Sequence, residues 1–466
     1  LSGRALAVAA AMCAAALLFQ FRPVRDVDMF WQVRTGEVML ETGRLVTADP
    51  FTSTHAGEPT PTIYWLSQLG YAAALRAGSW TVLHRLDAWL FAGALGLVAW
   101  RGTRAAPFPT AAAFGLALLV ALPFHGLRPQ TFAVAGFAAL VVLDRSGWPL
   151  RWKLPAVLLL VTVWQNLHPS GATAVLYLGV RVVAEALAWR SPWPVHLLPN
   201  ALLLAPAALA LFLTPDGVGI IPLMRANADI ATRLGVEEWL PAWHPATRAQ
   251  AQLLWLAFGI TAGLLARLGR RADLRDVVLV VGLGVAAACV YRLALFWALA
   301  ALPVWAKWVA AALPNLDTPG PDRVPFTRPA AVALAVAAAV VPTLAGAWTF
   351  AAGLPFAGLA ALDREQVSGT VYNYREWGGP LIYACPRAKV TIDGRLYLFP
   401  LADWVEYDRA ARGEVRLAEL VERHAPAAFV LRPGYHDPLI AELEASPAWR
   451  PIHVDDACAV FVGAGR

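Results

Sequence analysis

The feature that most constrains this chain is a succession of long apolar runs joined by short, arginine-bearing loops. The runs lie at 5–21, 80–100, 110–125, 130–144, 154–168, 171–189, 195–213, 251–267, 276–290, 293–312 and 329–352. A membrane-spanning helix needs roughly 20 mainly apolar residues, with some latitude. Of the 466 residues 58% are hydrophobic and 15% charged, with a mean hydropathy of +0.54. Soluble domains carry about 25% charged residues. The chain is therefore expected to be an α-helical polytopic membrane protein with about eleven spans. Its formal charge of +6 is not a nucleic-acid signal, because the arginines sit between apolar runs. The first run ends in "FQFRPVRD" without small residues spaced for cleavage, so it reads as a retained helix. The twenty tryptophans suit two membrane interfaces.

Charge sets the threading. With the N-terminus in the cytoplasm, the inner loops hold Arg101 and Arg104, then Arg145, Arg151 and Lys153, then Arg190, then Arg270, Arg271 and Arg275, then Arg323 and Arg328. This is the expected positive bias. It holds only if "TIYWLSQLGYAAALRA" (62–77) does not span, so that stretch reads as an interfacial or re-entrant helix. The polar, irregular stretches then share the outer face: 22–79, "FHGLRPQ" (124–130), "WQNLHPSG" (164–171), 214–250 with "GVEEWLPAW", and "VYR" (290–292). Ionisable groups gathered at one membrane face mark a candidate site.

From Asp363 the pattern changes. "KVTID" (389–393), "AAFVLRP" (427–433), "WRPIHV" (449–454) and "CAVFVG" (458–463) read as strands, and 401–413 and 415–425 as helices. The expected division is a membrane domain over 1–352, with its first outer loop at 22–79, and a small extracytoplasmic α/β domain over 353–466. Cys13 and Cys289 read as buried apolar residues in spans. Cys385 and Cys458, both in the outer part, are candidates for a disulfide. No C-x-x-C spacing is present.

Several motifs carry chemistry. In "DVDMFWQVRTGEVMLE", Met29, Val33, Gly36 and Leu40 share a helical face, which predicts an amphipathic helix on the outer surface. Asp26 and Asp28 stand at its start. One of them could cap the helix, or the pair could share Mg²⁺ or Mn²⁺ through oxygen ligands. Asp49, before Pro50, reads as a turn residue or a third carboxylate. Arg128 in "LRPQ" suits a phosphate through its bidentate fork, or snorkels to head groups. Gln130, Asn166 and His168 accompany it, the histidine as base, ligand or helix-end group. Arg292, in an otherwise apolar stretch, calls for a partner or ligand. Glu237 and Glu238 form a solvated loop pair or face the same cavity. "TVYNYREWGGPLIYACPRAKVTIDGRLYLFP" (370–400) combines Tyr374, Trp377, paired glycines, Asp393 and Arg395. The glycines permit a tight turn or close backbone approach, and the aromatics suit a binding surface.

Taken in order, "DVDMFWQVRTGEVMLETGRLVTADPFTSTHAG", "RPQ", "NLHPSG", "EEW" and "YNYREWGG…KVTIDGR" resemble bacterial multi-pass glycosyltransferases of the GT-C superfamily. The matches run from 26 to 463. "NYREWGG…TIDG" is also similar to the acceptor-recognition motif of oligosaccharyltransferases, with Glu376 where an aspartate is expected. The resemblance implies a polyprenyl-phosphate-linked sugar donor and an inverting transfer to a glycan, lipid or protein acceptor. The place implied is the outer face of the bacterial cytoplasmic membrane, among membrane lipids. It makes Asp28 the candidate base, supported by Asp26, with Asp26, Asp28 and Asp49 as candidate ligands of Mg²⁺ or Mn²⁺. Arg128, Gln130, Asn166, His168, Glu238, Arg292, Tyr374, Trp377, Asp393 and Arg395 are the candidate substrate contacts. Two rival expectations stand beside it: a transporter or flippase of a lipid-linked or polar substrate, and a non-catalytic assembly component on a glycosyltransferase scaffold.

Overall fold

The computed structural model describes residues 3–20, 22–124, 126–188, 197–317 and 350–465. The chain forms two compact units. The first takes Leu1–Arg22, Trp80–Val218 and Thr232–Trp348, and the second Pro23–Ser79, Gly219–Ala231 and Thr349–Arg466.

The apolar runs of the first unit are helices: α1 (Gly3–Gln20), α4 (Trp80–Ala105), α5 (Pro107–Ala121), α6 (Gln130–Asp144), α7 (Leu150–Leu167), α8 (Ala172–Leu187), α9 (Leu197–Ala210), α11 (Gln252–Leu268), α12 (Leu274–Cys289) and α13 (Ala294–Ala312). Most of the run at 329–352, and Arg190, Arg323 and Arg328, lie outside the described residues. Among the described residues, five helices are long and apolar enough to cross a membrane: Gly3–Gln20, Trp80–Ala105, Pro107–Phe124, Gln252–Arg271 and Tyr291–Ala312. The others fall short through length or charge. At 15 and 14 residues, α6 and α9 are short, and α8 carries Arg181 and Glu185. Those charges are paired, as apolar surroundings require. Tyr177 Oη and Arg181 Nε donate to Asp144 Oδ2 at 2.8 and 3.1 Å, and Arg275 Nε to Glu185 Oε2 at 2.7 Å.

Helix α13 is the core of this unit. In its span 72% of the residues are buried, against 22% for Gln252–Arg271, which matches a helix apolar on every side. Phe137 meets Phe296, Tyr177 and Trp164 edge-on at 5.2, 5.5 and 6.2 Å. Gly136 admits the Trp164 indole, whose ring would lie 2.8 Å from a Cβ there. Small residues serve such close packing in membranes. Cys289 is exposed and Cys13 half-buried, so neither is the fully buried residue expected.

The second unit is built on a five-stranded sheet of order β2-β1-β3-β5-β4: β1 (Gly369–Asn373), β2 (Ala388–Val390), β3 (Ala428–Leu431), β4 (Trp449–Val454) and β5 (Ala459–Gly463). β1 runs parallel to β2 and β3, and β5 antiparallel to β3 and β4. Alternation puts Val371, Val390, Ala428, Val430 and Val460 in one buried cluster with Leu359, Leu362 and Leu381. Those leucines come from α14 (Phe356–Arg364) and α15 (Gly378–Ala384). The opposite face carries Tyr372, stacked on Tyr407 of α16 (Leu401–Ala411) at 6.1 Å. Helices α17 (Leu417–His424) and α18 (Asp437–Ala445) complete that part.

The first loop is part of this unit. Thr52 bridges to Val390, and Val390 N donates to Phe51 O at 3.1 Å, so residues 51–53 extend the sheet beside β2. The "TADPF" stretch is thus a sheet edge as well as a turn.

The helix α2 (Asp28–Thr42) corrects the amphipathic expectation. Gln32 and Thr35 are buried along with Met29, Phe30, Trp31 and Val33, so it is packed on more than one face rather than laid on a surface. Its partner is α3 (Trp65–Ala77), the stretch expected to be interfacial or re-entrant. Gln68 Nε2 donates to Gln32 Oε1 at 2.8 Å, and Gly36 lets the Gln68 carbonyl approach. A further helix, α10 (Ile220–Arg233), lies where the sequence reads as loop. Ile220, Leu223, Met224 and Ile230, spaced around Arg225 and Asp229, were the available signal. Cys385 and Cys458 are free, buried thiols. The first directs Sγ to Leu359 O at 3.5 Å, and the second packs against Gly358, so the candidate pair is not joined.

Candidate functional site

In the second unit, glycines bring two distant motifs together. A Cβ on Gly379 would stand 2.2 Å from the Val27 carbonyl, one on Gly378 2.4 Å from the Asp393 Cβ, and one on Gly394 2.4 Å from Asp28 Oδ1. The "REWGG" and "IDGR" segments therefore seat "DVDMFW" directly. Asp28 is the first residue of α2, and Val27 holds the cap position. Asp26 Oδ1 accepts from the Asp28 N–H at 2.9 Å, so the capping contact belongs to Asp26. The half-buried Asp28 carboxylate instead accepts from Trp31 Nε1 at 3.0 Å.

Beside it lies a buried ion cluster. Arg395 donates to both oxygens of Asp393, Nε to Oδ1 at 2.9 Å and Nη2 to Oδ2 at 2.6 Å. Its Nη1 donates to Asp49 Oδ1 at 2.7 Å. The second Asp49 oxygen accepts from Thr52 N and Oγ1 at 2.8 and 2.6 Å. All three charged residues are at most 3% exposed, which such a cluster tolerates only when every group is paired. Burial opposes the charge on Asp49, but Arg395 and Thr52 outweigh it and hold its carboxyl below the ordinary value. The Arg395 guanidinium also stacks between Trp31 and Phe51, 5.8 and 5.6 Å from their ring centres. Burial pushes the Tyr397 phenol up, and it feels the charges of Arg395, Asp393 and Asp28. Trp31 and Tyr397 were missed by sequence reasoning, whereas the glycines of 370–400 make the close backbone approach read from them.

Both Asp49 oxygens are committed to protein donors, so Asp49 does not fit a cation shared with Asp26 and Asp28. Among the described residues no group of three or more His, Cys, Asp or Glu side chains is arranged to hold a metal. Tyr374 accepts from Arg432 Nη1 at 3.0 Å and meets Trp377 edge-on at 5.1 Å. Both rings belong to the buried cluster under the sheet.

In the first unit another set converges. Arg128 Nη1 donates to Glu238 Oε1 at 2.7 Å, and Arg292 lies over the Trp239 ring at 4.3 Å. Burial opposes ionisation of Glu238, but Arg128 and then Arg292 hold its carboxyl below the usual value. The charges of both arginines also act on His168, whose Nδ1 is 2.8 Å from Ser170 Oγ. Gln130 is buried, and its amide nitrogen has no partner among the described residues. Asn166 uses Nδ2 to bind the Thr162 and Leu213 carbonyls, each at 2.8 Å, which ties the end of α7 to the third residue after α9. Arg128, His168, Glu238 and Arg292 are thus gathered as two cations, one anion and an imidazole.

No family model and no curated protein matches the chain. Among solved structures it is similar to ArnT from Cupriavidus metallidurans, in the apo state. The TM-score is 0.53 at 16% identity, over 98% of this chain and 96% of that one. The two chains share a fold over almost their whole length. Five of the described helices are long and apolar enough to cross a membrane, which makes this a multi-pass membrane protein by length and composition. At this identity the likeness concerns the fold alone.

Proposed function

We propose that the protein is a membrane glycosyltransferase. It moves a sugar from a polyprenyl-phosphate-linked donor to a glycan, lipid or protein acceptor at the outer face of the cytoplasmic membrane, through about eleven spans with the N-terminus inside. The observation that carries this reading is the Asp28 carboxylate, aimed by Trp31 Nε1 and given room by Gly394. The likeness in fold to ArnT supports it.

The step is an inverting displacement. The acceptor oxygen forms a bond to the anomeric carbon, the bond from that carbon to the donor phosphate oxygen breaks, and Asp28 takes the acceptor proton. The phosphate leaves with its electron pair and needs no acid. Arg128 and Arg292 are the phosphate-binding candidates, since a guanidinium fork matches phosphate geometry. Asp26 orders the turn that presents Asp28. Asp393, Arg395 and Asp49 act by positioning. No step is routed through a cation.

Purified protein should consume a synthetic polyprenyl-phosphate sugar in the presence of acceptor, and Asp28→Asn should abolish that turnover while the thermal unfolding midpoint is kept. Full turnover by Asp28→Asn would remove Asp28 from the chemistry. A transporter reading has one observation in its favour, the buried Asp87 held by Gln20 Nε2 at 2.6 Å, since intramembrane carboxylates often serve transport. Uptake of unchanged substrate into proteoliposomes, lost in Asp87→Asn, would favour it.

A further inference from the structure

A cavity of about 280 Å³ opens in the second unit, on the sheet face that carries Tyr372. Its walls include His55, Tyr372, Phe399, Asp403, Glu406 and Arg423. None of these belongs to the Asp28 cluster, although residues 391–392, which also line it, run directly into Asp393.

Three properties define what fits. The first is size. Sites for drug-sized ligands begin at about 300 Å³, so this cavity holds one ring. The second is a mixed wall. Phe399 and Tyr372, 1% and 2% exposed, back the apolar part of the wall, and ion-paired groups supply the polar part. His55 Nε2 is 2.7 Å from Asp403 Oδ2 and its Nδ1 3.0 Å from Glu58 Oε2, and Arg423 pairs with Glu406. The cations and anions balance closely, so the site has no strong demand for a charged guest. The third is an unmet bond. Tyr372 is 2% exposed, and its buried hydroxyl has no partner among the described residues. Buried polar groups are normally hydrogen-bonded, and a hydroxylated ligand would complete this one.

We propose that this cavity binds one neutral sugar ring, the terminal residue of a glycan acceptor. The hydroxyls of such a ring bond Asp403, Glu406 and the Tyr372 oxygen. The word acceptor rests on the glycosyltransferase reading; the sugar site does not.

The test uses the full chain in detergent and a panel of methyl hexosides and methyl N-acetylhexosaminides, read by saturation-transfer NMR and by titration. At least one glycoside should bind saturably to the wild type and equally to Asp28→Asn. Glu406→Gln and Tyr372→Phe should each weaken it about tenfold, as loss of one good hydrogen bond does. Without sugar, Tyr372→Phe should unfold at a higher temperature, because an unpaired buried hydroxyl has been removed, which separates lost binding from lost folding. Absence of binding across the panel, or binding that both variants leave unchanged, overturns the proposal. Loss of transfer in Asp28→Asn with sugar binding intact supports both readings; transfer retained there, with binding lost in Glu406→Gln, removes the Asp28 assignment and keeps the sugar site.

Discussion

Gly394 leaves the space in which the Asp28 carboxylate sits: a Cβ at Gly394 would stand 2.4 Å from Asp28 Oδ1. The atom that must yield is the end of a side chain, so Gly394→Ala should move the carboxylate at little cost to folding. A misplacement of about 1 Å can cost about 10²-fold in rate. Gly394→Ala should therefore lower sugar-transfer turnover by about that factor with an unfolding midpoint close to wild type. Wild-type turnover would show that the Asp28 position is not critical.

Gly36 poses the opposite case. A Cβ there would meet the backbone oxygen of Gln68 at 2.0 Å, and backbone in a packed helix pair cannot swing aside. Gly36→Ala should destabilise the protein by about 1–3 kcal/mol, the usual range for overpacking, measured by denaturant or thermal unfolding.

Arg395 neutralises two buried carboxylates, Asp49 and Asp393. Removing one partner of a buried ion pair costs about 3–5 kcal/mol, and Arg395→Ala strands both acids. It should express poorly or unfold at a much lower temperature. Arg395→Lys should recover only part of this, since an ammonium lacks the fork that reaches both acids. The acid limb follows from the same cluster. The folded-state value of Asp49 is depressed, so its contribution is complete above the unfolded value of about 3.9. It is lost as pH falls through the lower folded value. Asp49→Asn should flatten the stability–pH curve there.

His55 predicts the alkaline counterpart. Burial disfavours its charge, but Glu58 and Asp403 outweigh that and raise its value. A raised group stabilises fully below its unfolded value, about 6.5, and loses that contribution as pH rises through the folded value. Thermal stability should fall across that interval, and His55→Gln should remove the slope.

Asp49 also bears on metal dependence, because its oxygens already hold Arg395 and Thr52. If Mg²⁺ or Mn²⁺ stimulates turnover, Asp49→Asn should leave the midpoint of that titration in place, while Asp26→Asn should shift it. A midpoint moved by Asp49→Asn would return Asp49 to the ligand set.

The sequence by itself determined where the helices of the first unit lie, because a long apolar run in a chain with few charges has one low-cost fate. It also located the strands at 389–393, 427–433, 449–454 and 458–463, which appear as β2–β5, β4 with the same ends and the others with shifted ones, because alternation in short runs is a local signal. It identified the acidic and glycine-bearing motifs as chemically dense. Local pattern could not say which aspartate caps and which is presented, that Asp49 answers to an arginine 346 residues away, or that residues 51–53 add to a sheet formed from the far end of the chain. Those outcomes depend on which backbones can approach. Glycines at 36, 378, 379 and 394 permit the approaches, and only the folded chain shows what fills the space each one leaves.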